Sequence, residues 1–213
     1  MLKHSTIGWT KVEMGILKTL SSPYRIQTFL DKTEYNGTKE TRSPRYVISL
    51  NRSHCMEGAL FAAACLENIG FPPLVLDMQS FNDDDHVIAI FKVKGFWGAV
   101  AKSNFTTLRY REPVYRSLRE LAMSYFDFYF NLNGEKSLRG FSLPQNLHRF
   151  DNINWRTTRE DLENIGYYLD KVKHFPLVNK GQIKKLEIAG DYLMKSSLMG
   201  SNPKGLFIPK KHQ

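Results

Sequence analysis

Apolar residues at helical spacing near the start of the chain predict two helices before any strand pattern begins. Four of them mark the first helix: Val12, Ile16, Leu17 and Leu20. Pro23 is predicted to begin the second, because proline is favoured at the first helical position. Residues 32–45 are polar and contain Asn-Gly and Ser-Pro, which predicts a loop. Residues 46–50 fit either a short strand or a helical turn.

The clearest helix is predicted over residues 54–69. Ser53 is the expected N-cap, Glu57 suits the first turn, and Gly70 closes the helix. Its middle, ALFAAACL, is apolar on nearly every face, which is typical of a helix buried on all sides. The helix that begins at Cys55 is therefore predicted to be the central helix of the domain.

A meander of strands is predicted after this helix. Residues 74–78 and 86–92 are rich in β-branched residues, and Lys94-Gly95 is a turn from which residues 96–101 return as a hairpin partner. The order of helices and strands predicts an α+β fold with an antiparallel sheet.

Helical patterns return in the second half of the chain. One helix carries an apolar and aromatic stripe formed by Leu118, Leu121, Ala122, Tyr125 and Tyr129. Residues 131–157 have no regular period. A helix over residues 158–173 is predicted to begin with a Thr158-x-x-Asp161 capping box, and a last helix spans about 182–195. The basic residues that follow are expected to be loosely held.

The composition fits one globular domain covering residues 1–213, with 42% hydrophobic and 24% charged residues. The longest apolar run, residues 59–66, is far shorter than the ~20 residues of a membrane span, and the first residues lack the apolar stretch of a secretory signal. Cys55 and Cys65 would lie ~15 Å apart on one helix, whereas a disulfide needs Cα atoms within ~7 Å. Free thiols suit a reducing compartment, so the expected location is the cytoplasm.

The net charge of +9 has an uneven distribution. Residues 92–120 contain seven cations and two anions, whereas residues 77–85 contain four carboxylates and no cation. The cations alternate with apolar residues, which fits either solvated faces of packed elements or an anion-binding surface. Residues 102–119 also mix cations with aromatic rings. They contain no recognition motif, so nucleic acid is not the expected partner.

Three residues form a candidate catalytic group. Cys55 lies at a helix N-terminus, where the helix dipole should favour the thiolate. His86 opens a strand and could take the thiol proton, and Asn104, just past the next strand, could orient the imidazole. Asp84 or Asp85 could serve in its place. The structural alternatives are a packing cysteine, a surface histidine and a turn asparagine.

The motifs around these residues resemble the transglutaminase-like superfamily of the wider papain-like cysteine enzymes. The resemblance rests on Cys55 at a helix start, Glu57-Gly58-Ala59, the closing Gly70, Asp85-His86-Val87 and Gly95-Phe96-Trp97. It implies an α+β papain/transglutaminase-like core over about 45–105, with a buried Cys-bearing helix packed on an antiparallel sheet. Flanking helices would include a helical extension over about 115–200.

The resemblance also implies a thiol enzyme that transfers acyl groups from protein or peptide amides, with Cys55 as nucleophile and His86 as general base and acid. The family places an Asp after the Trp of the returning strand, whereas this chain has Ala101, and Asn104 follows three residues later. The backbone N–H of Cys55 is the expected oxyanion donor, and Asn51 is a side-chain candidate.

Binding residues and cofactors follow from the same reasoning. The candidate substrate- or anion-binding residues are Trp97, Lys102, Arg109 and Arg111. No cofactor is expected. Cys55, His86 and an Asp could in principle hold zinc, but the chain has no CxxC or HExxH motif, so no metal site is predicted. The alternative function is a non-catalytic module of the same fold that binds a protein or an anionic partner.

Overall fold

Eight α-helices and nine β-strands occur within residues 8–210, the part of the chain that this computed structural model describes. The helices are α1 (Lys11–Thr19), α2 (Pro23–Lys32), α3 (Pro44–Leu50), α4 (Cys55–Asn68), α5 (Leu118–Phe126), α6 (Glu163–Lys171), α7 (Lys180–Ile183) and α8 (Asp191–Ser197). The strands are β1 (Glu34–Tyr35), β2 (Arg52–Ser53), β3 (Leu74–Ser80), β4 (His86–Val93), β5 (Phe96–Val100), β6 (Arg111–Tyr115), β7 (Leu138–Ser142), β8 (Gln145–Asn146) and β9 (His174–Pro176). The protein is therefore of mixed α+β type, as predicted.

Seven of the strands form one antiparallel sheet. Its order is β6-β5-β4-β3-β7-β9, and β8 pairs with β3 beside β7. The predicted hairpin joins β4 to β5 through Lys94 and Gly95, whose φ angles of 48° and 90° give the mirror-image turn that suits a two-residue connection. A separate parallel pair, β1 and β2, lies next to the start of α4.

Helix α4 is buried as its composition predicts, from Met56 to Leu66 without interruption. Val87, Ala89 and Phe91 of β4 belong to the same core as α4 and the first three helices. The alternate residues of β4, Ile88 and Ile90, belong to a second core with α5. Because successive strand residues face opposite sides, the sheet lies between an α4 layer and an α5 layer.

The second half of the chain differs most from the prediction. It adds four strands, β6 to β9, to the sheet, and three of them lie in the segment expected to be a helical extension. Each has five residues or fewer, which is too short for periodicity in the sequence to detect it. The aromatic stripe is buried as predicted, although α5 ends at Phe126 and Tyr129 follows it.

Three predicted helix boundaries are corrected by side-chain and tertiary contacts. The N-cap of α4 is His54 rather than Ser53. Helix α6 begins at Glu163, because the Asp161 carboxylate accepts from the backbone N–H groups of Glu163 and Thr41 instead of completing a capping box. The last predicted helix is split into α7 and α8.

The residues after α8 are held more firmly than expected, with both ends of the segment Asn202–Lys210 hydrogen-bonded to the body of the protein. No helix within residues 8–210 has the length and apolar character needed to cross a bilayer. Residues 1–7 and 211–213, which carry part of the expectations about the leader and the basic end, lie outside the described residues.

Candidate functional site

The first turn of α4 is built around a buried carboxylate. Glu57 accepts from the backbone N–H of His54 at 3.0 Å and forms a reciprocal capping box with it. The same carboxylate accepts from the side-chain amide of Asn36 and from the backbone N–H of Arg42. These bonds fix the start of the helix, so Cys55, its first residue, has a defined position next to β4.

The thiol of Cys55 is half-buried and donates weakly to the backbone carbonyl of Asp85, at 3.9 Å. Burial raises the pKa of this thiol to about 12, and the negative charge of Asp84 raises it further, against the opposing effect of the backbone N–H groups of Val87 and Met56. The sequence predicts an acidic thiol at a helix N-terminus. That prediction is wrong for this state of the protein, because desolvation outweighs the helix terminus.

The imidazole of His86 is buried on the α5 side of the sheet. Its Nε2 lies 2.9 Å from the Leu108 carbonyl, so Nε2 carries the proton and Nδ1, which makes no hydrogen bond within residues 8–210, is the acceptor nitrogen. Burial lowers the pKa of His86 to about 4, with the Leu108 carbonyl opposing this and the positive charge of Arg111 adding to it. The rings of Tyr125 and Tyr129 flank the imidazole at 6.5 and 6.4 Å. His86 is thus a neutral base over the physiological pH range.

Cys55 and His86 line one cavity of about 50 Å³ at the end of the sheet where β4 begins. Helix α4 covers one face of β4 and the imidazole lies on the other, but each residue is the first of its element, so both lie at this end. No hydrogen bond within residues 8–210 joins the two side chains. Cys55 also lines a larger groove of about 740 Å³, so a ligand in the groove would lie next to this residue.

Asn104 also lines the small cavity, but its amide does not orient His86. Its Nδ2 donates to the Asn202 carbonyl at 2.8 Å, and its Oδ1 accepts from the Asn202 N–H at 2.7 Å. The acceptor that fixes the imidazole is the backbone carbonyl of Leu108. A carbonyl can fill this position because orienting an imidazole requires an acceptor of any chemical type.

Within residues 8–210, neither Asp84 nor Asp85 hydrogen-bonds to the imidazole. The Asp85 carboxylate accepts from the Ser80 N–H, and only its backbone carbonyl approaches Cys55. Asp84 is exposed, and its backbone carbonyl accepts from the Tyr129 hydroxyl at 2.6 Å.

The cationic candidates have structural partners. The Lys102 ammonium is buried and donates to the carbonyls of Leu30 and Thr33 at the end of α2. Arg111 donates to Ser124 and to the Thr107 and Tyr110 carbonyls, and it stacks on the Tyr125 ring. These contacts leave neither group facing the Cys55 cavity, whose lining includes neither residue.

The remaining candidates are also outside the two cavities at Cys55. Arg109 pairs with Asp31 at 2.9 Å, and the Trp97 ring packs against Lys92. Asn51 is an exposed residue at the end of α3, in the left-handed conformation with φ 50°. None of the three lines the cavity or the groove at Cys55, so the structure places no oxyanion donor at Asn51.

Tyr35 and Leu108 are site residues that the sequence does not reveal. The Tyr35 ring lines both the cavity and the groove. Burial raises the pKa of Tyr35, and the nearby backbone N–H of Cys55 opposes this increase. Tyr35, in β1, falls in the polar segment predicted to be a loop, and Leu108 acts through its backbone, so neither carries a sequence signal for this position.

Three consecutive carboxylates, Asp83, Asp84 and Asp85, line the cavity wall. Asp83 accepts from the Ser137 hydroxyl at 2.6 Å and from the Asp84 N–H at 2.9 Å. Burial nevertheless raises the pKa of Asp83 to about 6, and the charges of Asp84 and Asp85 contribute. An acidic wall beside a sulfur atom disfavours the thiolate, which is the physical origin of part of the shift at Cys55.

Replacing Asp83 by Asn is expected to change how stability depends on pH. A carboxyl whose pKa is raised on folding stabilises the protein at low pH, and this contribution is lost as the pH rises from 3.8 through about 6. Asp83→Asn has no carboxyl group to titrate, so this pH-dependent loss of stability does not occur in the variant. The variant should therefore gain stability relative to the parent between pH 4 and pH 7, as measured by urea unfolding midpoints.

The matched control is Asp127→Asn, an exposed carboxylate that pairs with Lys136. It should show no such relative gain over the same pH range. A difference between Asp83→Asn and the parent that stays constant from pH 4 to pH 7 would contradict the assigned titration.

Within residues 8–210, no group of three or more His, Cys, Asp or Glu side chains has an arrangement that could hold a metal ion. Comparison of the chain with protein-family models and with curated proteins gives no match. The site consists of a half-buried thiol and a buried imidazole that line one cavity, and Cys55 also lines the neighbouring groove.

Proposed function

We propose that this protein is a cysteine-dependent acyl-transfer enzyme that acts on protein or peptide amides. The observation that carries the proposal is the shared cavity of Cys55 and His86, in which the Leu108 carbonyl holds the imidazole with Nδ1 as its acceptor nitrogen. A thiol at a helix start and a histidine at a strand start are the parts that a papain/transglutaminase-like core would supply. Free thiols at both cysteines support a reducing compartment such as the cytoplasm.

The reaction would begin with an uncharged Cys55 thiol and an uncharged His86 imidazole. As the sulfur attacks the amide carbonyl, the S–H proton moves to Nδ1 of His86, and the imidazolium then gives this proton to the leaving amine. An S–C bond forms and the C–N bond breaks, leaving a thioester on Cys55. Water or an amine then attacks the thioester and regenerates the thiol. Because the thiol pKa is about 12, the proton transfer has to accompany the attack.

The test is turnover of an activated acyl donor. With 4-nitrophenyl acetate, the protein is expected to release more than one equivalent of nitrophenolate and to carry an acetyl group on Cys55, detected by intact mass and peptide mapping. Cys55→Ser should abolish both signals. Cys65→Ser is the matched control and should keep both, because Cys65 lies in the middle of α4 and is fully buried.

A result limited to one equivalent, or an acetyl group on a residue other than Cys55, would contradict the proposal. Addition of a primary amine separates the two kinds of acceptor. A transferase forms the acetylated amine, whereas a hydrolase forms acetate alone.

A second candidate is a non-catalytic module whose groove binds a protein segment. It is favoured by the raised pKa of Cys55 and by the lack of a hydrogen bond between its thiol and His86 in the described part of the chain. This candidate predicts no nitrophenolate release beyond that of Cys55→Ser. The turnover experiment therefore separates the two functions.

A further inference from the structure

The segment Asn202–Lys210, called the strap below, lines part of the Cys55 cavity and is hydrogen-bonded to the rest of the protein at both ends. At one end, the backbone N–H and carbonyl of Asn202 pair with the side-chain amide of Asn104, and the Asn202 amide donates to the Tyr35 carbonyl. At the other end, the backbone N–H and carbonyl of Lys210 pair with the amide of Asn82, at 2.8 and 3.0 Å. Asparagine side chains thus hold the strap in the way that a neighbouring strand would.

The middle of the strap lies against the site. Gly205 and Phe207 line both the small cavity and the larger groove, as Cys55 does. A Cβ on Gly205 would lie 2.6 Å from the Tyr35 ring, so the strap backbone packs directly on that ring. Phe207 and Ile208 make no hydrogen bond within residues 8–210, and Ile208 is 83% exposed. The strap is therefore held by hydrogen bonds at its two ends, and by packing at Phe207 and Ile208.

We propose that the strap is a displaceable wall between the Cys55 cavity and the groove, and that a peptide substrate with an aromatic residue takes the place of its Gly205–Phe207 stretch. This inference rests on the proposed function, which supplies the substrate. Residues 205–207 line both the cavity and the groove or lie between residues that do, so a peptide in their place would border Cys55. A segment held mainly at its ends can open locally, and another segment with similar side chains can then take its place.

Release of the strap is tested at Asn82. This residue has a φ of 54°, a conformation that glycine adopts freely, so Asn82→Gly removes the amide clamp on Lys210 without straining the turn. Alkylation of Cys55 by N-ethylmaleimide should become about tenfold faster, which corresponds to ~1.4 kcal/mol in the opening equilibrium. Asn154→Gly makes the same change at a φ of 51° away from the strap and should react like the parent.

The contribution of the aromatic ring is tested within the strap. Phe207→Gly removes the ring from the cavity wall and should also accelerate alkylation, whereas Pro203→Ala, at an exposed position of the strap that lines neither the cavity nor the groove, should not. A synthetic peptide with the sequence of residues 202–210 should slow alkylation of the full-length Asn82→Gly, Phe207→Gly double variant. The same peptide with Gly in place of the phenylalanine should have no effect.

The inference is overturned if Asn82→Gly reacts at the rate of Asn154→Gly, or if the peptide gives no protection. Alkylation needs neither His86 nor acyl transfer, so these outcomes are independent of catalysis. Faster alkylation and peptide protection without nitrophenolate turnover would support the proposed role of the strap and contradict the proposed acyl-transfer activity. Turnover with an unchanged alkylation rate would support the acyl-transfer activity and contradict the proposed role of the strap.

Discussion

Substitution of His86 by Gln is expected to slow acylation of Cys55 by ~10²–10⁴-fold, the usual contribution of a positioned general base. Glutamine can still donate to the Leu108 carbonyl in place of Nε2, so the buried hydrogen bond has a replacement partner. What the variant lacks is the unprotonated ring nitrogen. The effect follows from the high thiol pKa, because a neutral sulfur needs a base as it attacks.

The measurement is the rate of nitrophenolate release under single-turnover conditions between pH 6 and pH 9. The matched control is His148→Gln, at a histidine whose side chain is about half exposed and contacts Asp151. It should react at the parental rate. If His86→Gln also reacts at that rate, His86 is not the base, and the non-catalytic module becomes the better assignment.

Substitution of Gly58 by Ala is expected to destabilise the protein by ~1–3 kcal/mol, the typical cost of overpacking a core. An added Cβ would lie 2.3 Å from the Lys102 Cβ. Lys102 cannot easily move away, because its ammonium is tied to the carbonyls of Leu30 and Thr33. Gly58 is in the first turn of α4, so a shift that relieves the contact would also displace Cys55.

The control for this change is Gly15→Ala. Gly15 lies in α1 with nothing within 4 Å of the added Cβ, so the better helix propensity of alanine should stabilise the protein by up to ~1 kcal/mol. Urea unfolding measures both variants, and acylation of Cys55 reports the site. Equal stabilities for the two variants would show that α4 and Lys102 can separate at little cost.

Elements whose pattern is local agree best with the sequence prediction. Helix α4 is detectable because its apolar run is long and ends at Gly70, and the β4–β5 hairpin because Lys94-Gly95 suits the turn. The last helix is predicted as one element, but the backbone N–H of Ala189 donates to the Gly134 carbonyl at 2.8 Å. That hydrogen bond to a loop distant in sequence replaces a hydrogen bond within the helix, and no local sequence pattern predicts it.

Some residues of the candidate site are likewise predicted from the sequence, and others are identified only in the structure. The sequence singles out Cys55 and His86 because each residue type has distinctive chemistry and a recognisable place at the start of an element. It does not identify the Leu108 carbonyl, since every residue has a carbonyl, or the strap, since its short apolar run lies between lysines near the end of the sequence and has no helix or strand period. Asn104 is chosen by its distance along the chain, whereas its partner, Asn202, is 98 residues away.

By itself, the sequence determined the α+β class, the buried helix that begins at Cys55, the β4–β5 hairpin and the two residues with candidate chemistry. These depend on short-range periodicity and on the identity of single side chains. Only the tertiary structure decided that burial raises the pKa of the thiol and lowers that of the imidazole, that a carbonyl orients His86 and that the strap lines the cavity. Desolvation and hydrogen-bond partners depend on which distant segments meet, and that information exists only once the chain has folded.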